Sequence, residues 1–518
     1  MHCTRCNRSV WVPLFSLVFA IYWSATALSQ TPARTWISES SAGAVAAQRP
    51  SPPPGLPSGS EWKAHLELDL MPFWMPAKAL GEPGDFPTYR CNDGQLFDPA
   101  NPCSELSNAV PGIVWQHREY LRMKSRQVYG YGVAYHVTGD PAYLQLARDG
   151  TEYIIKHGFE KVGDKLAPIT FWDSSNGAAT PGPLLAQRTS QDMAYSLSGI
   201  AFYYYLTRDP EVLKVIKEVR DYIFSTYYDE GQHLVRWVNE NYREETTDRV
   251  ELTAQLDQIY GYMVWLTPTL PTEEQQRWRA DLAKLAHIIK DRFYAGDCQR
   301  GESSRDGCGL FWGDMTQGHV HQVGQFHTDY GHSVKTMWMI YTVGKMVGDK
   351  ELEDFGYLGA QRIIRAAYNY ADGSWNRDPF SEDKEWWILC ELDQVSLTLA
   401  LTDPEFGRYV STTWKYWETY MVDHTHHEVW ASVKAGTNKP DQSVPKQHAW
   451  KNMLHSTEHA LVGYILGSEL YNQPVNLYFA WKARPENATI RPYVYEGTIQ
   501  SIKDLSGGRQ VVTFASIH

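Results

Sequence analysis

The chain has 518 residues, 43% hydrophobic and 21% charged, with a formal net charge of −12. That balance fits a globular protein with a large core and excludes a disordered or fibrous chain. No basic run or Lys/Arg stripe occurs, so nucleic acid is not expected as a partner. The 20 Trp and 32 Tyr suit either a large aromatic core or a sugar-stacking cleft.

Arg5 and Arg8 precede an apolar stretch from Val10 to about Leu28, and Ala27-Leu28-Ser29 offers small residues for cleavage. Residues 1–29 therefore read as a signal peptide, an uncleaved membrane anchor being the competing reading. With the signal removed, the expected location is periplasmic or secreted, with no membrane contact. Residues 30–59, rich in Ser, Ala and Pro, read as a flexible linker. Cys91 and Cys103 flank one polar loop and Cys298 and Cys308 another, which predicts two local disulfides in an exported chain. Cys390, in an apolar stretch, reads as a buried free thiol.

From about Glu119 to Trp481 one unit repeats six times: an apolar segment of helical length, a short turn, then an amphipathic segment. The apolar segments are about 119–138, 190–207, 251–267, 328–347, 384–402 and 449–467. The turns are clearest at Gly139-Asp140-Pro141, Arg208-Asp209-Pro210, Gly348-Asp349-Lys350 and Thr402-Asp403-Pro404. Asp caps the free N–H groups of the next helix, and Pro is preset for its first position. Buried inner helices alternating with one-sided outer ones predict an all-α fold, an (α/α)6 barrel over residues 60–472. Short turns gather at one end of such a barrel and long loops at the other, where the inner helices begin. The site is expected there. Residues 473–518 read as a small β-rich appendage, with strands at Ala488–Tyr495, Thr498–Lys503 and Arg509–Ile517.

Near the start of each inner helix stands a polar or aromatic residue in apolar surroundings: Arg126, Asp192, Asp257, His332, Trp386 with Trp387, and His455. A lone one is commonly a satisfied core residue; six in register point to a pocket. Gly331-His332-Ser333-Val334, Lys384-Glu385-Trp386-Trp387 and Trp450-Lys451-Asn452-Met453-Leu454-His455, with Arg126 and Tyr129, Gln191–Tyr195 and Phe73-Trp74, resemble the N-acylglucosamine 2-epimerase superfamily. That group includes cellobiose 2-epimerases and aldose–ketose isomerases. The similarity runs over about 61–470. It implies cofactor-free proton transfer beside a sugar carbonyl, with His332 and His455 as the acid/base pair and Arg126 polarising the carbonyl. Trp386 would stack on a mono- or oligosaccharide substrate.

Three positions depart from that pattern: Lys335 where Glu is common, Glu458 where Arg is common, and Asp257 in place of a His. Lys335 and Glu458 reverse sign together, which predicts a cross-barrel ion pair of swapped polarity. With Asp192, Asp257, Trp387, Tyr129 and His327 they complete the expected substrate-binding set, and His427 is a further candidate for substrate contact. The histidines at 319, 321 and 327 and the 423–428 patch lack metal-ligand spacing, so they read as polar loop residues and no metal is expected. The rival readings are a glycoside hydrolase or polysaccharide lyase on the same toroid, using Asp192 with Asp257 as paired carboxylates, and a sugar-binding relic. The sequence does not indicate an oligomeric state.

Overall fold

The computed structural model describes residues 51–77, 80–107, 113–175, 180–181, 189–241 and 245–518. The expected signal peptide and the expected linker as far as residue 50 lie outside them. The last expected linker residues lie against the barrel: Leu56 is buried and its carbonyl accepts from Tyr471 Oη at 2.6 Å.

The fold is an (α/α)6 barrel. Its inner helices are Leu121–Thr138, Ser190–Thr207, Leu252–Gln258 with its continuation to Leu266, Tyr330–Val347, Trp386–Ala400 and Leu454–Leu470. They are buried nearly all round because neighbours cover both faces. The outer helices Pro141–His157, Pro210–Tyr227, Thr272–Phe293, Lys350–Ala367 and Glu405–Tyr416 bury one face. The Asp caps form as the turn chemistry predicts. Asp140 accepts from the Ala142 N–H at 2.9 Å, and Asp209 from that of Glu211 at 3.0 Å.

The sixth unit closes differently from the sequence expectation. No outer helix follows Leu466-Gly467-Ser468; strand Val475–Phe479 comes instead. The missing partner is helix Gly59–His65 with its extension to Trp74, so the start of the described chain seals the ring. Trp62, Leu66 and Leu70, at helical spacing, are fully buried. Packing here is close: a Cβ at Gly463 would lie 2.2 Å from the Trp62 ring, so only glycine fits.

Three antiparallel strands, Val475–Phe479, Arg509–Ala515 and Thr498–Leu505 in that spatial order, form the C-terminal sheet. The expected strand Ala488–Tyr495 is absent. Pro492 cannot donate to a ladder, and the segment instead enters the short-turn end of the barrel and buries Tyr493 and Tyr495. Both expected disulfides, Cys91–Cys103 and Cys298–Cys308, are formed, and Cys390 is a buried free thiol.

Candidate active site

At the long-loop end, where the inner helices begin, lies a cavity of about 310 Å³. Arg126, Asp257, His327, His332, Lys335, Trp386, Trp387 and His455 all line it. Eight of the expected site residues, drawn from five inner helices and one loop, thus share one wall.

His332 is the third residue of its helix, and the capping residue Asp329 serves it twice. Asp329 Oδ1 accepts the His332 backbone N–H, and Oδ2 lies on the ring Nδ1, both at 2.7 Å. That contact assigns the proton to Nδ1 and leaves Nε2 for chemistry. Burial pushes the His332 pKa down, and the Asp329 carboxylate pulls against it. Gly331 permits the next helix to approach, since a Cβ there would meet the Trp387 ring at 2.8 Å. Trp387 packs edge-on to His332, with ring centroids 4.6 Å apart, and its centroid is 6.2 Å from that of His455. Glu385 fixes this indole through its Nε1 at 3.0 Å, and Arg377 holds Glu385 at 2.7 Å.

His455 has the opposite surroundings. Burial lowers its pKa well below the ordinary histidine value, and the cations Lys335 and Arg126 add to that. Beneath the ring stand Glu391, 3.3 Å from Nδ1, and Tyr260 Oη at 3.4 Å. Tyr260 arrives there on a π-helical turn, Ile259–Met263, an irregularity frequent at functional sites. Arg126 donates to the Trp450 carbonyl at 3.0 Å and lies over the Tyr195 ring at 3.7 Å.

The expected Lys335–Glu458 ion pair is replaced by another arrangement. Lys335 Nζ lies 3.8 Å from Asp257 and 3.9 Å from Glu391. Burial opposes its charge, but these acids and Tyr195 raise its pKa, so it stays an ammonium. Burial likewise opposes ionisation of Asp257, yet Lys335 and the Gln191 amide at 2.7 Å keep it below the ordinary carboxylate value. Glu458 lies deeper, bonded to Tyr260 and, at 2.5 Å, to Tyr493. Burial raises both Glu391 and Glu458, and the Glu391 carboxylate raises Glu458 further, so Glu458 holds a proton rather than a cation.

Three further expected residues are behind the wall rather than on it. Asp192 pairs with Arg122 at 2.9 Å. Glu458 and Tyr129 belong to the buried layer below, Tyr129 Oη meeting Tyr493 Oη at 3.0 Å. His427 is away from the cavity, its carbonyl accepting from Lys446 at 2.8 Å. The loop histidines do not converge: His319 pairs with Asp314 at 2.7 Å and His321 stacks on Trp312. His327 does reach the site, 3.4 Å from Glu251 and with its ring 4.8 Å from that of His332. Its backbone and that of Phe326 are left-handed, φ 62° and 47°, and a Cβ on Gly313 would collide with this turn at 1.7 Å. Glu391, His455 and Glu458 present atoms within 4.8 Å of one another. The Lys335 ammonium lies 3.9 Å from the Glu391 carboxylate of this set.

The cavity also takes in Arg122, Gln191, Tyr195, Trp237 and Trp450, which the residue-by-residue reading passed over. Gln191, Tyr195 and Trp450 stand inside the very motifs that carried the resemblance. Arg122 lies one helical turn before Arg126, and the two guanidiniums share the Tyr195 face.

No protein-family model matches the chain. It is 19% identical over 422 residues to the cellobiose 2-epimerase of Bacteroides fragilis, covering 76% of this chain and 96% of that protein. The relative's name is that of an activity which the superfamily resembled by the motifs includes. Among solved structures, a cellobiose 2-epimerase from Bacillus thermoamylovorans superposes with a TM-score of 0.63 at 18% identity, covering 79% of this chain and 98% of that one. A D-mannose isomerase superposes with a TM-score of 0.61 at 15% identity, covering 78% and 97%. These neighbours share the helical toroid.

Proposed function

We propose that this chain is an exported sugar epimerase or isomerase, acting on the open-chain form of a mono- or oligosaccharide with a free reducing end. His455, kept neutral, takes the proton from the carbon beside the carbonyl, and the electron pair moves to the carbonyl oxygen. Arg126 stabilises the enediolate oxygen where the charge develops. His332, whose charged form Asp329 favours against burial, returns a proton. Return to the opposite face of the same carbon inverts it, and return to the neighbouring carbon interconverts aldose and ketose. Trp386 and Trp387 supply stacking surface, and no cofactor is required by these steps.

The observation that carries this reading is that two histidines from separate inner helices line one cavity beside two fixed cations. The hydrolase reading has less support. Asp192 is tied to Arg122 behind the wall, so Asp257 lines the cavity without the carboxylate partner that reading assigns to it. The test is incubation with reducing disaccharides and hexoses in deuterated water, followed by NMR. Deuterium entering the carbon beside the carbonyl is the expected result. Release of new reducing ends from a glycan without such exchange would replace this reading with hydrolysis, and binding without either would leave a sugar-binding relic.

A further inference from the structure

A second cavity, about 320 Å³, opens at the far end of the barrel, where the inner helices Tyr330–Val347 and Trp386–Ala400 end. None of the steps above uses it. Its walls combine aromatic faces from Trp338, Tyr341 and Tyr495 with the hydroxyl-bearing Thr342 and Thr398.

Its charge is one-sided. Arg279, Lys345, Arg491 and His518 line it with one acidic side chain, Glu496, and Arg491 at 2.7 Å and His518 at 3.7 Å already occupy that carboxylate. Among the described residues no carboxylate lies within ion-pair distance of Arg279 or Lys345. Arg279 is fixed in place, donating to the Met346 carbonyl at 2.6 Å. Burial, and then repulsion from Arg491, lower its pKa, with Glu496 opposing them. The chain as a whole has a net charge of −12, which makes two cations without a carboxylate partner in one concavity, Arg279 and Lys345, a local exception. Guanidinium forks match carboxylate and phosphate oxygens, aromatic faces and hydroxyls suit a sugar ring, and the volume falls in the range of small-molecule sites.

We propose that this second cavity binds a small anionic sugar, a uronate or a hexose phosphate, independently of the catalytic cavity. Calorimetric titration of the whole chain with glucuronate, glucose 6-phosphate and, as the neutral control, glucose tests this. At least one anion is expected to bind, and the tighter of the two assigns the recognised group as carboxylate or phosphate. The Arg279→Glu/Lys345→Glu variant should weaken that binding about tenfold or more while sugar turnover persists. If that variant does not fold, Arg279→Gln serves, read by loss of the ligand-induced rise in thermal midpoint. The proposal is overturned if neither anion gives heat at about 10 mM. It is equally overturned if the charge-reversed variant binds as well as the parent, or if binding vanishes in Trp387→Ala, which would put the ligand in the catalytic cavity.

Discussion

The two sides of the catalytic cavity are built on opposite electrostatics. On one side His332 leans on Asp329, and that carboxylate favours an added proton against burial and the neighbouring His327. On the other, His455 faces Lys335 and Arg126, and the acids below it hold protons of their own. In the proposed mechanism the same residue type takes two tasks, one ring carrying a proton and one kept free to accept it. That is the division of labour which acid/base catalysis across a single carbon needs.

The largest effect should come from removing either ring. His332→Ala and His455→Ala are each expected to lower deuterium exchange by about 10²–10⁴-fold, and retained exchange in both would break the comparison outright. Next, Arg126→Ala should cost about 10²-fold or more, chiefly in kcat, because the oxyanion forms only as the reaction proceeds. Asp329→Asn sharpens the asymmetry: it should cost about tenfold and shift the pH dependence of kcat/KM. Asp329 favours the charged ring, so its loss lowers the His332 pKa, and activity that requires imidazolium then falls away from a lower pH as pH rises.

The smallest effect belongs to Glu458→Gln, expected to leave turnover within a few-fold while altering stability. The folded-state pKa of Glu458 is raised, so its contribution is fully present below the unfolded value, about 4.3. It is lost as pH rises from there through the raised folded value, because the unfolded chain releases the proton first. Glutamine carries no such proton. The decline in thermal midpoint between about pH 5 and 8 should therefore be shallower in the variant.

The ring of helices was legible because the inner and outer segments differ in how much of their circumference is apolar, and that difference survives in one sequence. The wall of the candidate site was legible where its residues open inner helices, as His332, Trp387 and His455 do. Less was readable where position depends on distant chain. Trp62 packs on Gly463 from the opposite end of the barrel's sequence, so the sixth outer helix could not be inferred from the residues that follow Ser468. Tyr493 meets Glu458 because Pro492 and its neighbours plug the barrel, although the same alternation suggests a strand. Tyr260 reaches His455 on a π turn that shifts the helical register. Glu391 looks like a lone acid in an apolar helix until Lys335 from the adjacent helix is beside it.

The asymmetry of the two rings is measured most directly by ¹⁵N NMR of the histidine-labelled protein across pH, with the signals assigned through His332→Asn and His455→Asn. His332 should carry its proton on Nδ1 and become doubly protonated at a higher pH than His455, which stays neutral through the working range. A His455 ring that charges at the same pH as His332 or above it would contradict the account.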